Sequence, residues 1–127
     1  MPDRLMDFRI EQTRNTPSVL INAGIIEIIG RSIPEDSFDF FEPILDFVRQ
    51  YVEEPPKETQ INIKLEYINS GSKKYLINIL THFEELPENG YNVIVNWFVD
   101  PDDESIKELG EDLKDIIHLP FKVIKNS

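Results

Sequence analysis

Apolar and polar residues alternate along the first third of the chain in the manner of β-strands. Residues 8–12, 18–22 and 25–29 carry aromatic or aliphatic side chains at alternate positions or in short apolar runs. The pair Ala23-Gly24 separates the second run from the third. A short connection that contains glycine is typical of a tight turn. Residues 18–29 therefore predict an antiparallel hairpin.

From residue 40 onward, helical spacing alternates with strand spacing. Segment 40–53 has an apolar stripe of helical period, and its Pro43 is expected in the first turn, where proline is tolerated. Further strands are predicted at 61–68, 92–99 and 120–125, helices at 72–86 and 102–117, and a turn at 87–90. Strands joined by helical crossovers run parallel. We therefore predict one α/β domain over residues 1–127, whose mixed sheet begins with the antiparallel hairpin.

Composition and charge narrow the classes of function. The 127 residues include no cysteine, so disulfides, thiolate metal sites and a cysteine nucleophile are excluded. The formal charge of −11 opposes binding to nucleic acid or to anionic lipid, which require basic surfaces. No apolar run approaches the roughly 20 residues of a membrane span, and the N-terminus lacks a signal-peptide pattern. A cytoplasmic bacterial regulator or small enzyme fits best, with a protein as a plausible partner and neither a membrane nor nucleic acid as one.

Two polar loops follow predicted parallel strands and are expected at one edge of the sheet. One loop is Asn69-Ser70-Gly71-Ser72, followed by Lys73, and the other is the acidic run 100–104 with Asp102 and Asp103. The first loop opens onto a helix whose N-terminus carries unpaired N–H groups and partial positive charge. A serine there, Ser70 or Ser72, is well placed to accept a phosphate or to lie beside a phosphate that is already bound.

Each of these loops also has an ordinary structural explanation. Serine is a favoured N-cap, and Ser72 immediately before a helical run suits that role better than Ser70 does. Acidic residues in a first helical turn favour the helix dipole, so Asp102 and Asp103 need not bind a ligand. An alternative function is a small Mg²⁺-dependent hydrolase or phosphotransfer protein that uses the carboxylates of residues 100–104. No fixed metal-ligand spacing, Walker loop or nucleophile elbow is present, so we predict no catalytic residue, no metal and no cofactor.

Several ordered motifs resemble the SiaC family of regulatory phosphoproteins. They are Thr16-Pro17, Gly30-Arg31-Ser32-Ile33-Pro34-Glu35, Lys64-Leu65-Glu66-Tyr67-Ile68 with the serine loop, Asp102-Asp103-Glu104 with Glu108-Leu109-Gly110-Glu111-Asp112, and Leu119-Pro120-Phe121. The resemblance covers nearly the whole chain. It implies a STAS-like fold, similar to the anti-anti-sigma-factor type.

The same resemblance implies a phosphoswitch. A partner serine/threonine kinase modifies a hydroxyl in the strand-to-helix loop, a PP2C-like phosphatase removes the phosphate, and the unmodified protein binds and activates a diguanylate cyclase. Family members commonly carry Asn-Thr-Ser-Ser in this loop with the threonine as acceptor, a position that Ser70 occupies here. Asn69, Gly71, Ser72, Lys73, Asp102 and Asp103 are then candidates for shaping the loop or contacting the partner. Ser72 stays open as an alternative acceptor, and an anti-anti-sigma role, in which the partner is itself the kinase, stays open as a third function.

Overall fold

Six strands form one sheet, and their order across the sheet is their order along the chain. The computed structural model describes residues 7–126. The strands are β1 (Phe8–Ile10), β2 (Ser18–Asn22), β3 (Ile25–Ser32), β4 (Glu58–Ile68), β5 (Asn92–Val99) and β6 (Phe121–Lys125). The helices are α1 (Ser37–Glu53), α2 (Ser70–Thr81) and α3 (Glu104–Ile116), and a 3-10 turn covers Pro87–Asn89.

The sheet is mixed, as the hydrophobic pattern predicted. Strands β1, β2 and β3 pair antiparallel, and β3 to β6 run parallel. The β2–β3 connection turns at Gly24, whose φ of 97° lies in the left-handed region that glycine tolerates. The fold class predicted from the sequence, an α/β sheet that begins with a hairpin, is confirmed.

All three helices lie on one face of the sheet. Helices α1, α2 and α3 each connect two parallel neighbours, and each crossover advances in the same direction across the sheet. Right-handed crossovers that advance in one direction must place their helices on the same side. The core accordingly lies between the helices and the inward residues of the strands, with Ile61, Ile63, Val95 and Trp97 fully buried at its centre.

Helix α1 differs from the prediction at its N-terminus. It begins at Ser37, capped by Asp36, whose carboxylate accepts a hydrogen bond from the Asp39 backbone N–H at 3.1 Å. Pro43 therefore lies inside the helix rather than in its first turn, and that expectation was wrong. The helix continues through the proline because its apolar stripe is buried. The buried residues are Phe41, Ile44, Leu45, Val48 and Tyr51.

The ends of α2 and α3 also differ from the predicted ranges. Helix α2 begins two residues earlier than expected, at Ser70, and ends at Thr81 instead of residue 86. Helix α3 begins at Glu104, so Asp102 lies before the helix. Strand β4 is longer than the predicted 61–68, because it begins at Glu58. Among the described residues, no helix has the length and apolar character that crossing a membrane requires.

Candidate functional site

The carboxyl ends of β3, β4 and β5 lie at one edge of the sheet. Ser32, the last residue of β3, pairs with Ile68, the last residue of β4, and β5 ends at Val99, two residues beyond the pairing of Trp97 with Ile63. The serine loop therefore follows β4 at the same edge where the acidic run follows β5, as the strand order predicted. The sequence did not show at which edge of the sheet Arg31 and Ser32 lie. In the structure they lie at the same edge as the serine loop and the acidic run.

Ser70 is the first residue of α2 and is exposed. The N-cap of α2 is Asn69, whose side-chain oxygen accepts a hydrogen bond from the Ser72 backbone N–H at 2.9 Å. The Ser70 hydroxyl thus lies at the positive end of the helix dipole and is not used as its cap. A phosphate on this hydroxyl would lie in a favourable field.

Ser72 lies two residues further along and is fully buried. Its hydroxyl donates to the Ser32 carbonyl oxygen at 3.0 Å and accepts from the Ser32 hydroxyl at 2.8 Å. The interpretation of Ser72 as the N-cap was therefore wrong: two residues separate by about 200° around a helix, so Ser72 points inward while Ser70 points outward. A kinase could reach the Ser72 hydroxyl only if α2 left the sheet.

Further contacts hold the loop against the segment that connects β3 to α1. The Asn69 backbone N–H donates to the Ser32 carbonyl at 3.0 Å, and the Asn69 side chain donates to the Pro34 carbonyl at 3.4 Å. At Gly71 the backbone approaches Ser37 so closely that a Cβ would overlap the Ser37 hydroxyl. Gly71 is therefore needed for close approach, and the first turns of α1 and α2 meet beside Ser70.

The acidic loop is only partly directed at the serine loop. Asp103 is the N-cap of α3 and accepts from the Ile106 backbone N–H at 3.0 Å, and Asp100 accepts from the Asn126 side chain at 3.2 Å. Asp102 is exposed in the turn and does not line the space between the loops. That space is a cavity of about 510 Å³. Its lining is Glu66, Tyr67, Ile68, Lys73, Asp100, Asp103, Ser105, Ile106 and Leu109.

Two lysines flank Ser70 on different sides. Lys73 lines the cavity that the acidic loop borders, and Lys74 lines a second cavity of about 420 Å³ beside Glu42 and Tyr75. The Tyr75 hydroxyl donates to the Glu42 carboxylate at 3.3 Å, and its pKa is raised by burial and by that carboxylate. Residues three and four positions apart on a helix are neighbours, so both lysines are within one turn of a phosphate on Ser70.

Exposed aromatic side chains at this edge were missed by the sequence analysis. Phe38, in the first turn of α1, is 61% exposed, and Tyr67 is 57% exposed. Strict alternation with Ile63 and Leu65 would have put Tyr67 on the covered face. A register shift between Gly30 and Arg31 instead pairs Arg31 with Tyr67, and the Arg31 guanidinium lies 4.8 Å from the centre of the Tyr67 ring. Such a bulge depends on how the two strands pair, so it cannot be predicted from the local pattern of apolar and polar residues.

The described residues, 7–126, contain no group of three or more His, Asp or Glu side chains arranged to hold a metal ion. The carboxylates of Asp100 and Asp103 take part in the hydrogen bonds given above. The geometry of this edge consequently offers an exposed hydroxyl, exposed aromatic rings and mixed charges, a combination typical of a protein-binding surface.

Comparison with known proteins agrees with this description. A family model described as SiaC family regulatory phosphoprotein matches residues 10–126. A protein of Pseudomonas aeruginosa strain UCBPP-PA14, described only as uncharacterized, is 28% identical over 121 residues, which are 94% of this chain and 96% of that protein. The chain belongs to the SiaC family of regulatory phosphoproteins.

Solved structures from Pseudomonas aeruginosa share the fold. A chain in the crystal structure of the diguanylate cyclase SiaD in complex with its activator SiaC matches with a TM-score of 0.87 and 28% identity, covering 94% of this chain and all of that one. A structure of SiaC alone matches with a TM-score of 0.86 and 27% identity, covering 95% of this chain and 99% of that one. The predicted family is confirmed.

Proposed function

We propose that this chain is a non-catalytic, single-domain, STAS-like phosphoprotein that binds and controls a diguanylate cyclase in the cytoplasm. Phosphorylation of Ser70 by a serine/threonine kinase ends binding, and a PP2C-like phosphatase restores it. The observation that carries this proposal is the contrast between an exposed Ser70 at the start of α2 and a buried, hydrogen-bonded Ser72. The chain belongs to the SiaC family, and SiaC of Pseudomonas aeruginosa is described as the activator of a diguanylate cyclase. This relationship supports a diguanylate cyclase as the partner.

The switch follows from charge and desolvation. A phosphate adds about −1.5 to −2 charge near neutral pH. At Ser70 it would lie at the same edge of the sheet as the exposed ring of Phe38 and the acidic loop. Lys73, Lys74 and the helix N-terminus offset this charge within the protein, but a partner docked on the edge would have to bury it. Burying a charge without a counter-charge costs several kcal/mol. Because each loss of about 1.4 kcal/mol weakens the affinity for the partner by a tenfold change in Kd, this cost is enough to end binding.

Binding to the SiaD-like diguanylate cyclase of the same organism tests the switch by calorimetry. We expect Ser70→Ala to bind within about twofold of the unmodified protein, since only a hydroxyl is lost. Phosphoserine installed at position 70 by codon suppression should weaken binding by about 100-fold or more, and Ser70→Asp by about tenfold. Asn89→Asp serves as the control, because it adds one negative charge after α2 at the opposite edge of the sheet. Equal affinities for all four proteins would refute the switch.

The acceptor itself is tested by peptide mapping of the protein purified from its native host. We expect phosphate on Ser70 and none on Ser72, because the Ser72 hydroxyl is buried against Ser32. Phosphate on Ser72, or retained phosphorylation of the tryptic peptide in Ser70→Ala, would contradict the assignment.

A further inference from the structure

One face of the sheet is left bare by the three helices, within the part of the chain that the structure describes. On this surface, here called the open face, outward residues of β2 to β6 include two parallel rows. The first row is Leu20, Glu27, Asn62, Asn96 and Lys122. The second row is Ser18, Ile29, Lys64, Phe98 and Ile124, in which Lys64 and Phe98 lie one residue beyond the paired Ile63 and Trp97 and line the same cavity as Ile29.

The open face is partly apolar. Ile29 is 36% exposed, and Leu20, Phe98 and Ile124 are half-buried on a surface that no helix of residues 7–126 covers. Gln12 and Asp100, which lie outside the strands, line the same cavity as Ile29 and Phe98. Apolar side chains grouped in this way on a bare sheet mark a contact surface.

The charge of the open face differs from that of the molecule. Its two rows contain one acidic residue, Glu27, and two basic residues, Lys64 and Lys122, while the whole chain carries −11. Two copies of so acidic a protein repel one another through most surfaces. Two copies meet less of that repulsion across these two rows, beyond which Glu66 and Asp100 line the same cavity as Ile29, Lys64 and Phe98.

We propose that the open face is a two-fold symmetric interface between two copies of this chain. A two-fold axis parallel to the strands, between β4 and β5, lays β3 of one copy over β6 of the other and preserves the rows. Glu27 then faces Lys122 of the second copy, and the relation holds in both directions, as a two-fold interface requires.

The centre of the first row fits the same symmetry. Within one copy the Asn96 side-chain nitrogen donates to the Asn62 side-chain oxygen at 2.9 Å. The remaining side-chain groups of this pair are the nitrogen of Asn62, a donor, and the oxygen of Asn96, an acceptor. Because the axis places Asn62 over Asn96 of the second copy, these groups are complementary and form two equivalent hydrogen bonds between the copies.

The second row pairs apolar and cationic groups. Ile29 meets Ile124 of the second copy, and the Lys64 ammonium meets the ring of Phe98 of the second copy in a cation–π contact. Sheets that pack face to face are rotated by about 30°, so the pairs nearest the axis fit most closely. Four strands at about 4.8 Å spacing and five residues, the length of β6, at about 3.3 Å cover roughly 320 Å² in projection. That size places the dimer among weak, reversible contacts.

A charge swap on the protein alone tests the proposal by sedimentation equilibrium from about 10 μM to 1 mM. We expect a reversible dimer for the natural chain. Glu27→Lys and Lys122→Glu should each weaken dimerisation at least tenfold, because each puts like charges face to face. The double variant, Glu27→Lys with Lys122→Glu, should return to within about threefold of the natural chain, since the opposite charges again meet.

The matched control reverses one acid and one base on the helix layer, Glu111→Lys with Lys114→Glu, and should leave the dimer unchanged. A natural chain that is monomeric at 1 mM overturns the proposal. So does a dimer that the single reversals leave intact, because another surface then forms it. If the chain is monomeric but the single reversals abolish binding to the diguanylate cyclase, the open face belongs to that partner and self-association is wrong. None of these outcomes depends on Ser70, so failure here is distinct from failure of the phosphoswitch.

Discussion

At the scale of the residue, Ser70 and Ser72 differ by their position around one helix. Ser70 is exposed at the start of α2, and Ser72 is buried two positions later. The buried Ser72 links α2 to β3 through both the hydroxyl and the carbonyl of Ser32. The same short sequence therefore supplies one hydroxyl for chemistry and another for structure.

Replacement of Ser72 by alanine should destabilise the protein by about 1–3 kcal/mol, because it leaves the Ser32 hydroxyl buried without that partner. Urea unfolding followed by the fluorescence of Trp97, the single tryptophan of the chain, measures the loss. Ser70→Ala is the control and should stay within about 0.5 kcal/mol of the natural chain. A Ser72→Ala protein of unchanged stability would show that the buried pair contributes nothing.

At the scale of the element, α1 keeps a proline in its interior. Pro43 has no N–H to donate to the carbonyl four residues earlier, and proline in a helix interior costs about 3 kcal/mol relative to alanine. The helix forms nevertheless because burial of its apolar stripe outweighs this loss. Pro43 itself is exposed, so the core does not require it.

Pro43→Ala should therefore stabilise the protein, by about 1–3 kcal/mol. The gain is the restored hydrogen bond and relieved clash, reduced by the greater freedom of the unfolded chain without proline. Thermal or urea unfolding measures it, with Gln50→Ala on the exposed side of the same helix as a control of small effect. Lower stability in Pro43→Ala would mean that α1 depends on the local geometry the proline imposes.

At the scale of the whole molecule, buried tyrosine couples the hairpin, α1 and β4. The Tyr51 hydroxyl accepts from the Gly24 backbone N–H at 3.1 Å and is hydrogen-bonded to the Thr59 hydroxyl at 2.8 Å. Burial raises the pKa of Tyr51 above its usual value of 10.0. The unfolded chain then loses this proton at lower pH than the folded protein does.

The sign of the pH dependence follows from the proton count. Above about pH 10 the unfolded state binds fewer protons than the folded state, so the free energy of unfolding falls as pH rises. Urea midpoints between pH 8 and pH 11 should decline for the natural chain. Tyr51→Phe should be less stable at pH 8, because the Gly24 N–H loses its acceptor, but should decline less steeply above pH 10. Equal slopes for the two proteins would exclude Tyr51 as the group responsible.

The predicted site depended on topology more than on local pattern. Neighbouring parallel strands place the loops at 69–72 and 100–104 at one edge, and this was predictable because crossover rules limit the arrangements. The exposure of Tyr67 was not predictable, since a bulge opposite Arg31 breaks the alternation. Phe38 lay outside the predicted helix of residues 40–53, and its exposure in a first helical turn follows only from the start of α1 at Ser37.

The sequence by itself determined the elements, the hairpin and the parallel direction of the later strands, because periodicity and turn residues act locally and crossovers have a fixed hand. It also carried the family motifs and the acceptor candidate. Only the tertiary structure decided which hydroxyl is reachable: Ser72 is buried because Ser32, forty residues away, lies against it. Only the sheet register brought Glu27, Asn62, Asn96 and Lys122 into one row across four strands. Contacts between residues distant in the chain depend on packing, and the amino-acid sequence of a single segment does not encode them.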